Sequence, residues 1–463
     1  MKKFLLLAMV ACTGLVGVLA QDAVIRIEGG QRPAMAIPDL RGSGDAQGLM
    51  AAFNETLWGD VQGAGLFRMV PKTSYPASIP QQPSDFRTPP PVVETPRGRR
   101  GAMVTPQTGG GLWMSDWSGP PVSANYLAFG YSAVQNGVFV LRGWLFDLSR
   151  DVPAKAQVLG KNYLGSADQA GARKIAHEFA ADIIAAFGGK SVLGSHIYYV
   201  HSASVNGPKE IWVMDPDGKN QRQITRFNSI SIDPAVSPDG TKLAFSGYAR
   251  GQPAIFVFSV DPLRDLHFYN QRTSVNATPE FTPDGRQLIY ASAPGDRCCR
   301  IYLANLDGSG FRPITSSSFI DVEPKVNPKT GSEVVFVSGR SGPQQIYRMN
   351  IDGGDIERLT PGEGEAGNPS WNPDGQFLAY AWTRGYAAGA WNIFTMNVAS
   401  RQYTQLTHGE GRNEHPSWAP DGVHMAFDST RTGRYQIYTM LANGTEVQQL
   451  TSQGINDRPA WGR

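Results

Sequence analysis

Asp233-Pro-Ala-Val-Ser-Pro-Asp-Gly240 is one copy of a pattern that returns several times in the second half of the chain. The pattern is a polar residue, Pro, any residue, a large apolar residue, any residue and Pro-Asp-Gly, and an apolar segment follows it. The further copies begin at Thr278, Glu323, Asn368, His415 and Arg458. The copy at Glu323 carries Lys329-Thr-Gly331 instead of Asp-Gly, and the last copy stops after Trp461. The chain therefore contains an internal repeat.

The spacing of the copies indicates the fold. Their first prolines lie 43 to 47 residues apart, which is the length of four short strands with their turns. Asp-Gly and Asn-Gly pairs supply the positive φ angles that tight hairpins require, and Pro at the start of an inner strand removes no necessary ladder hydrogen bond. The sequence predicts a mainly β protein in which residues 194–463 form a six-bladed β-propeller.

Each repeat is predicted to hold a second and a third strand after the inner one, and most repeats then close with a short outer strand. The second strands are predicted at Lys242–Ser246, Gln287–Ser292, Glu333–Ser338, Phe377–Trp382 and His424–Ser429. The third strands are predicted at Ala254–Val260, Arg300–Leu306, Gln345–Ile351, Asn392–Val398 and Gln436–Leu441.

The two ends of the repeat region complement each other. Residues 196–225 contain three predicted strands with no inner strand before them, whereas Arg458–Trp461 is an inner strand with no strand after it. Together they make up one blade, so the strand at 458–461 is expected to close the ring. Closure matters because an open ring would leave unpaired strand edges.

Residues 21–190 predict a small α/β domain that precedes the propeller. Helical periodicity covers Asp45–Val61, and Ser166–Gln169 matches a capping box that opens a second helix. Strands are predicted at Ala23–Glu28, Ala34–Pro38, Leu66–Val70, Tyr126–Ala133, Val138–Asp147 and Ala156–Leu164. Residues 71–121 are rich in Pro and Gly, which predicts an extended or disordered insertion that buries no core. Its basic cluster, Arg97–Arg100, fits either a solvated linker or contact with anionic envelope polymers.

The N-terminus predicts export. Lys2 and Lys3 precede an apolar run that ends before Ala20, which is the layout of a cleavable signal peptide over residues 1–20. A retained membrane anchor and lipidation at Cys12 are the two alternatives. The mature protein is expected in the periplasm, peripheral to membranes and monomeric. Its remaining cysteines, Cys298 and Cys299, are adjacent and can form either a vicinal disulfide or two thiols.

The sequence offers little sign of catalysis. The net charge of +2 and the scattered basic residues argue against nucleic-acid binding. Gly-x-Ser-x-Gly, His-Glu-x-x-His and Walker motifs do not occur, no dinucleotide-binding fingerprint opens a helix after a strand, and the seven histidines are dispersed. The Asp residues of the repeated turns fit a turn-capping role. We therefore predict no catalytic residue, no metal and no cofactor, and a protein that is not an enzyme.

One set of polar residues has a possible functional role. The residue before each first Pro stands where an inner strand begins, and the six inner strands surround the central channel. The sequence therefore predicts a polar ring around one mouth of the channel, made of Asp233, Thr278, Glu323, Asn368, His415 and Arg458. Either this ring is an ordinary hydrated rim, or it is a docking funnel for a partner protein.

These features together resemble the TolB family of the periplasmic Tol–Pal envelope system. The resemblance covers nearly the whole mature chain: an exported N-terminus, a small α/β domain, a helix ending near Phe187, an Ile197-Tyr-Tyr-Val200 strand and six blades. The chain departs from the family's pattern in the long insertion 71–121 and in the turn at Lys329. The resemblance implies a protein-binding scaffold for envelope integrity and outer-membrane constriction at cell division.

The resemblance also implies partners and sites. The propeller mouth would bind a Pal-like peptidoglycan-associated lipoprotein, and the N-terminal strand would bind a TolA-like inner-membrane protein. The residues of that strand are Asp22, Ala23, Val24, Ile25, Arg26, Ile27 and Glu28. The alternative function is that of a propeller enzyme, a lyase or hydrolase acting on envelope polysaccharide or peptide.

Overall fold

The computed structural model describes residues 32–88, 111–269, 275–293 and 299–463. The predicted signal peptide 1–20, the strand Asp22–Glu28, the basic cluster Arg97–Arg100 and Cys298 lie outside these residues. Cys299 is disulfide-bonded. Within the described ranges, no helix combines the length and the apolar character needed to cross a bilayer.

A six-stranded sheet forms the centre of the N-terminal part. Its strands are β1 Ala34–Ala36, β2 Arg41–Ser43, β3 Arg68–Met69, β4 Tyr126–Gln135, β5 Val138–Asp147 and β6 Gln157–Ser166. The order is β3-β1-β4-β5-β6, and β2 also pairs with β4. β1 runs parallel to β3 and β4, whereas β4, β5 and β6 form an antiparallel meander.

Two helices cover one face of this sheet. The helices of the N-terminal part are α1 Met50–Gly63, α2 Ser115–Ser118, α3 Pro153–Ala156 and α4 Gln169–Ala186. Phe53 of α1 and Phe179 of α4 are fully buried against the sheet. The first helix starts later than predicted, because Gly44–Leu49 forms a 3₁₀ turn. The cap of α4 is Asp168 rather than Ser166, since the Asp168 carboxylate accepts from the Gly171 N–H at 2.7 Å.

The opposite face is covered by the segment that was expected to bury no core. This expectation for 71–121 is wrong for its described parts, where Lys72–Ser74 and Pro83–Asp85 form 3₁₀ turns. Phe86, Met114 and Trp117 pack against Phe129 and Phe146 of the sheet, and Trp117 is fully buried. The prediction relied on the high Pro and Gly content and overlooked a few large apolar side chains. Each of these can bury enough area to order the chain around it.

Six four-stranded sheets follow, which confirms the six-bladed propeller and the mainly β fold class. The inner strands of blades 1 to 6 are Ser231–Val236, Val275–Phe281, Asp321–Val326, Ala366–Trp371, Asn413–Trp418 and Ile455–Gly462. The second strands are Lys242–Gly247, Gln287–Ala293, Glu333–Ser338, Phe377–Trp382, His424–Ser429 and His196–Ser202. The third strands are Ala254–Val260, Arg300–Asn305, Gln345–Asn350, Asn392–Asn397, Gln436–Leu441 and Glu210–Met214. The outer strands are Leu263–Phe268, Arg312–Pro313, Glu357–Arg358, Tyr403–Gln405, Gln448–Gln449 and Arg222–Gln223.

Blade 6 joins the two ends of the propeller. Its inner strand, Ile455–Gly462, pairs antiparallel with His196–Ser202, which is followed by the third and outer strands. Trp461 of the inner strand is buried, and its indole N–H donates to the Ser195 hydroxyl at 2.9 Å. The strand extends beyond the predicted 458–461 at both ends. The domain boundary near residue 190 stays a prediction.

The deviating turn of blade 3 keeps the blade intact by adding one residue. In blade 1 the Gly240 N–H donates to the Ser237 carbonyl, three residues back. In blade 3 the Gly331 N–H donates to the Asn327 carbonyl, four residues back. Gly331 has a φ of 66°, so the turn still ends on a glycine in the left-handed region.

A half-buried histidine joins the N-terminal part to the propeller. His424 of blade 5 places Nε2 at 2.5 Å from the carbonyl oxygen of Gly63, the last residue of α1, and Nδ1 at 2.5 Å from a carboxylate oxygen of Asp421. A carbonyl and a carboxylate both accept, so both ring nitrogens must donate, which requires the imidazolium form. Burial alone would lower the pKa of His424, but Asp421 and the Gly63 carbonyl outweigh it and raise the pKa.

We predict that deletion of residues 455–463 lowers the midpoint of thermal unfolding by about 10 °C or more. Loss of the buried Trp461 alone costs about 3–5 kcal/mol, and 1 kcal/mol corresponds to about 2–4 °C in a domain of this size. Calorimetry would measure the change, with deletion of Arg463 alone as the control, since the strand ends at Gly462. An unchanged midpoint in the long deletion would contradict the closure.

We also predict that His424→Gln makes stability less dependent on pH. Because the pKa of His424 is raised by folding, its stabilising contribution is complete below the unfolded value of about 6.5 and is lost as the pH rises through the folded pKa. The melting midpoint of the wild type should therefore fall relative to that of the variant between about pH 6 and pH 9. The exposed His408, changed to Gln, serves as the control. If the melting midpoints of the wild type and of His424→Gln changed with pH in parallel, this role of the charged His424 would be contradicted.

Candidate functional site

All six residues of the predicted polar ring line one cavity at the propeller axis. The cavity has a volume of about 100 Å³. Each of the six residues is followed by the Pro of its repeat, which lines the cavity as well, except in blade 3. Lys325, Ser370, Ser417 and Ala460 also contribute to the lining. The predicted N-terminal strand Asp22–Glu28 lies outside the described residues.

The six residues share an unusual backbone. The pairing of each inner strand with its second strand shifts register at the residue before Pro and the Pro itself. At each of these bulges the residue before Pro has a positive φ between 48° and 54°. Such a conformation costs about 1–3 kcal/mol at a residue other than glycine, so the surrounding contacts must hold it in place.

Hydrogen bonds between neighbouring blades hold these bulges. The Glu323 N–H donates to the Thr278 hydroxyl at 3.2 Å, and the Asn368 N–H donates to a Glu323 carboxylate oxygen at 2.6 Å. The His415 N–H donates in turn to the Asn368 side-chain oxygen at 3.4 Å. The backbone N–H of the ring residue in each of blades 3 to 5 therefore donates to the side chain of the ring residue in the preceding blade.

Two residues from second strands complete the circle. The Thr278 N–H donates to the Ser246 hydroxyl, which donates to an Asp233 carboxylate oxygen at 3.1 Å. The Arg458 N–H donates to Asp428, whose Oδ2 also lies 2.8 Å from His415 Nδ1. The circle closes where the Arg458 guanidinium pairs with Asp233. The polar character of the ring thus has a structural cause: blades 1 to 5 each supply a side-chain acceptor for a backbone N–H of the next blade, and blade 6 supplies the Arg458 guanidinium to Asp233.

Sequence reasoning missed Ser246 and Asp428, although the repeat holds a signal for them. Both residues pair with the position just before the ring residue of their blade. At the same position the other four blades carry Ala291, Val337, Ala381 and Val200. A polar residue in an otherwise apolar column of an aligned repeat indicates a specific hydrogen-bonding role, because a buried polar group must find a partner.

The electrostatics of the mouth are strongest between blades 5 and 1. Burial lowers the pKa of His415, but the charge and hydrogen bond of Asp428 outweigh it, so the pKa lies above its ordinary value. The charge of Asp233 raises the pKa of Arg458. Burial, followed by the charge of Asp428, raises the pKa of Asp457. Asp428 is fully buried, and its Oδ1 has no hydrogen-bond partner among the described residues.

This arrangement suits recognition by shape and hydrogen bonds. Lys325 pairs with Glu280 in the adjacent blade, so a second layer of charge lies along the inner strands. Among the residues that the structure describes, no group of three or more His, Cys, Asp or Glu side chains is placed to hold a metal ion. A concave site with a few convergent polar groups is typical of a binding site.

Comparison with known proteins places the chain in a family. Residues 186–385 and 361–462 match the sequence profile of the PD40 family, described as the TolB beta propeller domain. These two matches together cover more than half of the chain. The chain belongs to the TolB β-propeller family. The family resemblance noted from the repeats is thereby confirmed.

Individual TolB relatives support the same assignment. The chain is 37% identical over 198 residues to the "Protein TolB homolog" of Chlorobium luteolum, which covers 42% of this chain and 43% of the relative. It is 30% identical over 243 residues to the "Tol-Pal system protein TolB" of Bordetella pertussis, which covers 52% of each chain. The chain thus spans about half the length of the curated relatives it matches.

A solved TolB structure has the same fold. The crystal structure of TolB from Acinetobacter baumannii superposes with a TM-score of 0.74 and covers 93% of this chain and 97% of that chain. The sequence identity is 20%, so this likeness bears on the fold. It extends over the α/β part and the propeller together, which agrees with the architecture described above.

Proposed function

We propose that this TolB-family chain is a protein-binding scaffold of the Tol–Pal system, and that its propeller mouth binds a Pal-like peptidoglycan-associated lipoprotein. The observation that carries the proposal is the convergence of all six ring residues on one cavity of about 100 Å³. The name of the Bordetella pertussis relative supports a place in the Tol–Pal system. In this role the chain would link the outer membrane to the inner-membrane Tol complex.

The structural role of the ring supports a preorganised binding site. Since blade-to-blade hydrogen bonds fix the ring residues, a partner would meet polar groups that are already ordered. Binding to an ordered surface avoids part of the entropy lost on association. Inserting a loop of the partner into the mouth would also add contact area, which for a specific complex is about 1,200–2,000 Å² in total.

The remaining parts of the proposal rest on the sequence. The signal peptide over residues 1–20 would deliver the protein to the periplasm. The strand Asp22–Glu28 would bind a TolA-like protein of the inner membrane, as the family resemblance implies. Contribution to envelope integrity and to outer-membrane constriction at cell division would follow from connecting these two partners.

The test is isothermal titration of residues 21–463 with the soluble, lipid-free form of the organism's own Pal-like lipoprotein. We expect one-to-one binding, weakened about tenfold or more by the double variant Glu323→Gln, His415→Gln. Gln retains a side-chain oxygen that can accept the Asn368 N–H, so the ring should persist, and the melting midpoint should confirm this.

The matched control makes the same chemical changes on the other side of the propeller. His196→Gln and Glu446→Gln should leave the affinity unchanged, because both residues lie far along the strands from the mouth. If the wild type did not bind the lipoprotein, the proposal would be wrong. If the two double variants bound the lipoprotein with equal affinity, the binding site would lie outside the mouth.

A further inference from the structure

The propeller has two faces that differ in charge. Because each blade is antiparallel, the starts of the inner strands share one face with the loops between second and third strands, as the pairs Ser231–Gly247 and Gly247–Ala254 illustrate. We call this the mouth face. Its described loop residues are 203–209, 224–230, 248–253, 269, 299, 314–320, 339–344, 359–365, 383–391, 406–412, 430–435 and 450–454.

The loops of the mouth face are basic. Their described residues include eight Lys or Arg and three Glu. Four of the cations pair with carboxylates: Lys209 with Asp457, Arg340 with Asp321, Arg412 with Glu414 and Arg431 with Glu410. The remaining loop cations are Arg226 and Arg250 at blade 1, Arg384 in blade 4 and Arg434 in blade 5, and the remaining loop carboxylates are Glu363 and Glu365, which leaves an excess of two positive charges.

The opposite face is acidic. Its loops are 215–221, 237–241, 261–262, 282–286, 306–311, 327–332, 351–356, 372–376, 398–402, 419–423 and 442–447. They include eleven Asp or Glu and four Lys or Arg. The Asp residues have a local cause, since Asp239, for example, accepts from the Thr241 N–H at 3.0 Å within its turn. Helix α1 contacts this face through Gly63 and His424.

Turn geometry does not explain the basic residues in the same way. Four arginines of the mouth face instead lie over aromatic rings that belong to their own blade. The guanidinium of Arg250 is 4.6 Å from the ring centre of Tyr269, and that of Arg384 is 4.9 Å from the ring centre of Trp382. Arg340 and Arg431 lie over Tyr347 and Tyr438 in the same manner, but these two also pair with Asp321 and Glu410 of this chain. Stacking restricts these side chains, so fewer rotamers are lost when they meet a carboxylate.

Exposed apolar side chains lie on the same face. Val205 is 77% exposed, Ile320 55%, Phe319 48%, and Ile230 and Tyr386 each 40%. Exposed apolar residues combined with charged ones are typical of protein interfaces, where the apolar groups provide the buried centre and the charges form the rim. An anionic polymer would use the charges alone, so the combination favours a folded protein as the occupant.

We infer that the mouth face docks a protein whose contacting surface is acidic. The inference rests on the proposed function, and it adds the chemistry of the partner: carboxylates on the partner face the arginines of several blades, while its apolar residues contact Phe319 and Ile320. Complementary charge raises the rate of association and orients the partner before contact. The acidic opposite face repels the same partner, so docking is directed to one end of the channel.

The test measures association rates by stopped-flow with the same soluble lipoprotein, at low and high salt. Wild-type association should slow about tenfold or more as salt rises, because screening weakens the attraction. The variant Arg250→Gln, Arg434→Gln should associate about threefold more slowly at low salt and depend less on salt. Both arginines are exposed and lie outside the ring. The control variant Arg286→Gln, Lys329→Gln removes two exposed charges of the opposite face and should not slow association.

The outcomes separate this inference from the proposed function. If the lipoprotein binds but its association rate is independent of salt, or both double variants behave alike, the acidic partner is ruled out and the proposed function stands. If the wild type does not bind the lipoprotein, the proposed function fails. Fluorescein-labelled decaglutamate then tests the face by itself: binding that only the Arg250, Arg434 variant loses supports the inference, and no binding by the wild type overturns it.

Discussion

The structure depends on one closing contact, the return of the C-terminal strand to the start of the propeller. Ile455–Gly462 supplies the inner strand of the blade that begins with His196–Ser202. The same strand brings Arg458 to Asp233 of blade 1, which completes the circle of side chains at the mouth. Without this contact, two strand edges would be open and Asp233 would lose its ion pair with Arg458. The strand that closes the propeller ring therefore also completes the mouth.

The mouth shows how a structural requirement can also prepare a binding site. Each inner strand bulges before its Pro, and the residue there adopts a left-handed conformation that only its neighbours make tolerable. Polar side chains such as Glu323 and Asn368 are needed as acceptors for the adjacent blade. The consequence is a rigid polar cavity, which is surrounded by loops with exposed arginines and lies on the face opposite to the one that helix α1 contacts. A partner can use groups that the fold has already ordered.

The repeat made most of the propeller predictable, because period, turn residues and strand alternation all describe the same blade. Glu333–Ser338, Phe377–Trp382 and His424–Ser429 coincide with their predicted bounds. The positions of the ring residues followed from counting strands. The sequence could not predict the roles of single residues that depend on tertiary contacts. Asp428 of blade 5 accepts the Arg458 N–H of blade 6 and so links the two blades. Trp117 orders a Pro- and Gly-rich segment by packing against apolar side chains, which composition does not reveal.

The most direct test of the account is hydrogen–deuterium exchange on residues 21–463, with and without the soluble Pal-like lipoprotein. Amide exchange reports local opening, so a bound partner protects the backbone that it covers. Docking at the mouth face should protect the loops 248–253, 314–320 and 383–391 and leave exchange in the turns 372–376 and 442–447 unchanged. Protection confined to those turns, or to the α/β part, would contradict it.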